Sequence, residues 1–198
     1  AIGAALERNE TLKSLNLSSN AVGDEGAMAI GKALEGNETL KELNLRENAF
    51  GDEGAKAIGK ALEGNATMDK IVLPNFTWER HSVTWQLTEK RLTDNDMLVV
   101  AFLLPNMTAL STLSLASNQL GEKGVDYLSE AMSNIKLLKT LDMANNVLGD
   151  GGAKGIAKLI AAENSSWTSI NLSNSEIGDE GAKAIATALE GNETLKEL

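Results

Sequence analysis

The run Pro74-Asn75-Phe76-Thr77-Trp78-Glu79-Arg80-His81 gathers the side chains most suited to chemistry or recognition in this chain. His81 is its only histidine. An imidazole can act as a general base, but the sequence offers His81 no serine and aspartate in the setting of a nucleophilic triad. The chain has no cysteine, hence no thiol nucleophile. Its recurrent Gly-Asp-Glu-Gly-Ala glycines do not match the G-x-x-x-x-G-K-S/T spacing of a phosphate loop. No catalytic residue, cofactor site or metal site is expected. What remains is recognition. Trp and Arg are enriched in the residues that dominate protein interfaces, and Trp78 and Arg80 sit two positions apart. The competing reading is packing: an apolar strand face gains about 25 cal/mol for each Å² it covers. Residues 74–82 are therefore either a partner-binding protrusion or a cover over core.

Acidic residues recur at one spacing: Asp24-Glu25, Asp52-Glu53, Glu122, Asp150 and Asp179-Glu180. They could line up as a cation ladder. No single segment supplies the dense oxygen cluster that calcium prefers. The simpler reading is that each Asp caps a following helix and both acids favour its positive end, each worth ~0.5–1 kcal/mol.

The spacing of these acids points to the elements that carry them. Leu12, Leu40, Met68, Leu110, Leu138, Trp167 and Leu195 head successive segments, most of them 28 residues apart. A fixed period in the twenties marks a stacked repeat. Within the first full period, Leu15-Asn16-Leu17 alternates as a half-buried strand does. Asn20 suits a sharp turn, and Asp24 suits a helix start. Ala27, Ile30, Gly31 and Leu34 form one apolar helical stripe, and Gly36 ends it. One such segment cannot bury its own face; stacked segments can.

The period breaks once. Met68, Ile71 and Leu73 head a segment normally, yet a second head follows at Ser82, with Trp85 and Leu87 at the strand core positions. Its helix carries Asp94 as cap and Met97, Val100 and Leu104 as stripe. The stretch between is too short for a helix and two turns. It must return in extended form, or leave as a loop or hairpin, and Pro74 supports a departure from regular pairing. Phe76 and Lys90 stand where Asn20, Asn48, Asn118 and Asn146 stand elsewhere, and Ser175 breaks the same ladder near the end.

The pattern LxxLxLxxN, followed by GDEGAxAI and AL-x-x-N-x-TL, resembles the ribonuclease-inhibitor-like class of leucine-rich repeats, as found in NOD-like receptors and the Ran GTPase activating protein. That resemblance implies an α/β, right-handed solenoid with parallel strands on the concave side and helices on the convex side. It implies a non-catalytic protein-interaction scaffold, or the ligand-sensing repeat segment of a larger protein. The alternative is a GTPase-activating protein of the Ran activator type, although no residue here matches an activating site. The partner surface expected on these grounds is Phe76, Trp78, Arg80 and His81, with Arg46, Lys70, Thr84 and Gln86 from the predicted inner face.

Composition narrows the partners. The 198 residues read as a single repeat array, 1–198, with an irregular half-repeat near 68–82. A net charge of −10 disfavours nucleic acid and leaves a protein partner. No apolar run reaches membrane-spanning length, so no membrane contact is expected. The lack of cysteine argues against disulfide-stapled extracellular caps and for a cytoplasmic setting. The chain opens at Ala1-Ile2, matching Ala29-Ile30 inside a helix, and closes at Leu195–Leu198 inside a strand; more protein is expected on one or both sides. Asn-x-Ser/Thr triplets occur at Asn9, Asn16, Asn37, Asn65, Asn75, Asn106, Asn164, Asn171 and Asn192. Asn9, Asn37, Asn65 and Asn192 share one repeat position, so a repeated turn is the favoured reading over glycan acceptors.

Overall fold

A computed structural model describes residues 2–132, 135, 137–162 and 165–198; the Asn164 triplet lies outside them. The chain forms two compact units, Ala1–His81 and Ser82–Leu198.

The first unit runs α1 (Ile2–Glu7), β1 (Ser14–Asn16), α2 (Asp24–Gly36), β2 (Glu42–Asn44), α3 (Asp52–Leu62), β3 (Lys70–Val72) and β4 (Thr77–Glu79). β1, β2 and β3 are parallel, with Leu15, Leu43 and Ile71 aligned. This is the one-period register that the sequence predicts. β4 closes the sheet antiparallel to β3. Leu40, Leu43, Leu45, Met68 and Ile71 are fully buried between sheet and helices. Leu12 is 37% exposed, because β1 is an outer strand with one neighbour.

The second unit runs β5 (Thr84–Gln86), α4 (Asp94–Leu103), a 3-10 turn (Leu104–Asn106), β6 (Thr112–Ser114), α5 (Glu122–Met132), β7 (Thr140–Asp142), α6 (Gly149–Ala161), β8 (Ser169–Asn171) and α7 (Asp179–Leu189). Its four strands are all parallel, with Trp85, Leu113, Leu141 and Ile170 in one buried row.

Three side-chain devices tie neighbouring repeats together within each unit. The first corrects the capping expectation. Asp24 does not cap its own helix; its Oδ1 accepts from the amides of Gly51 and Gly54, at the start of α3 one repeat on. Asp150 does the same for Gly178 and Gly181 at α7, and Asp94 for Gly121 at α5. The glycine that follows each acid pair is a matter of space. A Cβ on Gly54 would stand 2.8 Å from both Asp24 Oδ1 and the Ala27 Cβ, and one on Gly181 would meet Asp150 and Ala153 equally closely. At α4, Thr93 donates its amide and its Oγ1 to Asp96, a capping box within one segment.

The second device is the turn asparagine. Asn48 donates to Leu17 O, Asn118 to Leu87 O and Asn146 to Leu115 O, each crossing to the preceding repeat. The third is the asparagine after each helix. Asn37 donates to the carbonyls of Leu6 and Asn9, and Asn65 to those of Leu34 and Asn37. Asn37 and Asn65 are 3% and 8% exposed, which supports the turn reading of their triplets over glycan attachment.

Candidate protein-binding face

The segment that breaks the period is a tight hairpin. Leu73 N donates to Phe76 O at 2.9 Å, leaving Pro74 and Asn75 at the corner. The return strand pairs Thr77 with Val72, Trp78 with Ile71 and Glu79 with Lys70. Strand alternation then sorts the side chains. Phe76 and Trp78 point inward and are 6% and 0% exposed. Thr77 and Glu79 point outward and are exposed. Phe76 and Trp78 are thus core cover, and neither presents its ring to a partner. Of the two readings open in the sequence, packing accounts for the aromatics.

Arg80 is half-buried. Its Nε donates to Met68 O at 2.7 Å and its Nη2 to Asn65 O at 2.6 Å. Its guanidinium carbon stands 5.3 Å from the centre of the Trp78 ring, within cation–π range. Burial lowers its pKa from the ordinary arginine value, with the nearby Asp69 opposing.

The other expected residues of the first unit are on the surface. Lys70 Nζ lies 2.6 Å from Glu79 Oε1. That hydrogen bond and charge raise the Lys70 pKa, and Glu42 on the adjacent strand adds to the effect. His81 Nε2 and Lys41 Nζ each lie 3.7 Å from Asp69. Arg46 follows β2 with its side chain 67% exposed, 3.4 Å from Glu47. The hairpin therefore brings Lys70, Glu79, Asp69 and His81 together; Arg46 lies beyond them, two residues past the end of β2. Glu79 and Asp69 escaped the sequence reading. Their signal was the hairpin register, which the repeat period does not encode.

Thr84 and Gln86 lie exposed on β5 in the second unit, either side of buried Trp85. Thr84 aligns with Thr112, Thr140 and Ser169 across the sheet, and Gln86 with Ser114, Asp142 and Asn171. Thr88 Oγ1 and Ser114 Oγ share a hydrogen bond at 2.8 Å, and Ser114 donates to Asp142. On this face the charged side chains are Asp142 on β7 and Glu197, which pairs beside Ser169, where the first unit's face carries both signs of charge, paired with one another. Among the described residues no group of three or more histidines or carboxylates is placed to hold a metal ion. No helix among them is long and apolar enough to cross a membrane.

The family model for the leucine-rich repeat matches residues 8–31, 36–59, 106–129, 135–157 and 163–186, more than half of the chain. The chain belongs to the leucine-rich repeat family. No curated protein matches this leucine-rich repeat chain. Among solved structures it is similar to Leiomodin-1 Actin-Binding Site 2, at 16% identity over 96% of this chain and 86% of that one, with a TM-score of 0.36. It is also similar to the C-terminal domain of tropomodulin from Caenorhabditis elegans, at 14% identity over 96% and 90%, TM-score 0.40. A third is internalin C2 from Listeria monocytogenes, at 17% identity over 99% and 83%, TM-score 0.40.

Proposed function

We propose that this leucine-rich repeat chain is a non-catalytic, cytoplasmic protein-binding module of the ribonuclease-inhibitor-like class. The contact surface in this reading is the outward face of the first sheet, with the exposed side of its closing hairpin: Arg46, Lys70, Glu79 and His81. One observation carries the reading. The strands hold these charged side chains in fixed register, Glu42 beside Lys70 beside Glu79, on a backbone that is already ordered. A partner meeting a preformed charged row loses little conformational freedom in the contact itself. Complementary charge also speeds encounter and rejects wrong partners. On the second unit, Thr84 and Gln86 offer hydrogen-bonding side chains on the exposed face of its sheet.

The test begins with crosslinking of the native protein in extract and identification of the captured partner. Affinity is then measured for the wild type and for an Arg46→Glu, Lys70→Glu double variant. The variant should bind at least about 10-fold more weakly, the equivalent of one modest hot spot, while still melting cooperatively, its midpoint lowered only by the loss of the exposed Lys70–Glu79 pair. Unchanged affinity would remove this face from the reading.

A further inference from the structure

Two carboxylates mark the outward face of the second sheet, Asp142 within it and Glu197 beside Ser169 at its edge. Asp142 closes β7 and is partly exposed, between buried Leu141 and Met143. The parallel register sets Ser114 on one side of it and Asn171 on the other. Strand alternation puts Thr140 before it and Ala144 after it on the same face. None of these four neighbours is a cation.

The carboxylate is already oriented. Its Oδ1 accepts from the Ala144 amide at 3.2 Å, and its Oδ2 from Ser114 Oγ at 3.3 Å. Thr88 Oγ1 lies 2.8 Å from Ser114 Oγ. With the Ser114 proton directed at Asp142, Thr88 is the donor of that pair, and both hydroxyl dipoles reinforce the bond to the carboxylate. Each carboxylate oxygen keeps a second acceptor direction. Ala116 and Ala144, two positions beyond Ser114 and Asp142, are small enough to leave room for a flat group beside it.

We infer that this face docks a protein segment presenting an arginine, whose guanidinium is held by both oxygens of Asp142. Charge complementarity selects the occupant: the sheet orients the carboxylate with dipoles and sets no cation beside it, and Glu197 adds to the negative potential. The planar fork of arginine matches two parallel acceptors, whereas a lysine ammonium is a point charge without that fit. Uncharged neighbours that exclude water are the usual surroundings of an interface hot spot. The inference goes beyond the first unit's face and stands or falls without it.

NMR amide shifts on the full chain test this with the end-capped peptide Ser-Thr-Arg-Thr-Ser and its citrulline and lysine counterparts; citrulline keeps the shape of arginine without its charge. The arginine peptide should move the amides of residues 112–116, 140–144 and 169–173. The other two should each need at least about 10-fold more for the same shift. Asp142→Asn, which keeps an oxygen for the Ala144 amide, should weaken the arginine peptide by a similar factor. Asn171→Arg should fill the site from within and block the peptide. Asp126→Asn, on α5, makes the same change in net charge as Asp142→Asn and should leave binding as it is. So should the Arg46→Glu, Lys70→Glu double variant of the first face. Equal binding of the citrulline peptide, equal weakening by Asp126→Asn or by the first-face variant, or no shift at these amides would overturn the inference. Equal binding of the lysine peptide would overturn the assignment to arginine.

Discussion

Arg80 donates from Nη2 to the carbonyl oxygen of Asn65 at 2.6 Å, the position where the two preceding repeats receive an asparagine side chain. A charged donor on a half-buried carbonyl is among the stronger hydrogen bonds, about 1.5–3 kcal/mol. Arg80→Ala removes it together with the bond to Met68 O. The melting midpoint of the protein should fall by on the order of 10 °C. Arg80→Lys should recover only part of this, since an ammonium lacks the planar fork that reaches two carbonyls. Thermal melts of the three proteins check both statements.

Gly54 and Gly36 make opposite predictions from the same substitution. A Cβ on Gly54 meets Asp24, Ala27 and Phe50 within 3 Å, whereas one on Gly36 meets nothing within 4 Å. Gly54→Ala should cost about 1–3 kcal/mol through overpacking. Gly36→Ala, in the last turn of α2, should be neutral or gain up to about 1 kcal/mol. Denaturant midpoints on the two variants decide.

One exposed position stores backbone strain. Ser19, Glu47, Glu89, Ser117, Asn145 and Asn174 all have φ between 53° and 57°. A long side chain in this left-handed region costs about 1–2 kcal/mol. Asn adopts it more readily and already serves at two of the six sites. Glu89→Asn should therefore stabilise the second unit by roughly 0.5–1 kcal/mol, seen as a higher melting midpoint. An equal decrease would show that Glu89 makes a compensating contact.

Lys70 and Glu79 form a short but solvent-exposed pair. The raised pKa of Lys70 fixes the sign of its pH dependence. Its contribution is complete below the unfolded lysine value of about 10.4 and disappears as pH rises through the higher folded value. The gap in stability between wild type and Lys70→Gln should be constant through neutral pH and close only in strong alkali. A gap that closes near neutrality would assign the effect to another group.

The repeat frame was legible because its cause is periodic. Leu15, Leu43 and Ile71 align at the sequence period, and the helix starts at Asp24, Asp52 and Asp179 fall where the acid pairs predict. The hairpin was legible only as one of several options. Its direction depends on the corner at Pro74-Asn75 and on Trp78 finding Ile71, neither of which a repeat period encodes. The Asp24 cap was assigned to the wrong helix for a related reason. Local capping rules look a few residues ahead, and the true donors are the amides of Gly51 and Gly54, a full repeat away. Arg80 reads in sequence as a recognition residue because its type is enriched at interfaces; only the geometry shows two of its donors turned onto backbone carbonyls.

Residues 74–81 close the first sheet, and in the proposed reading recognition falls to the exposed charged face beside them. The most direct measurement is acrylamide quenching of Trp78 fluorescence in a Trp85→Phe, Trp167→Phe variant of the full chain. A ring that is 0% exposed predicts blue-shifted emission and slow quenching. Red-shifted emission with quenching as fast as that of free tryptophan would place Trp78 in solvent and contradict the closing role of the hairpin.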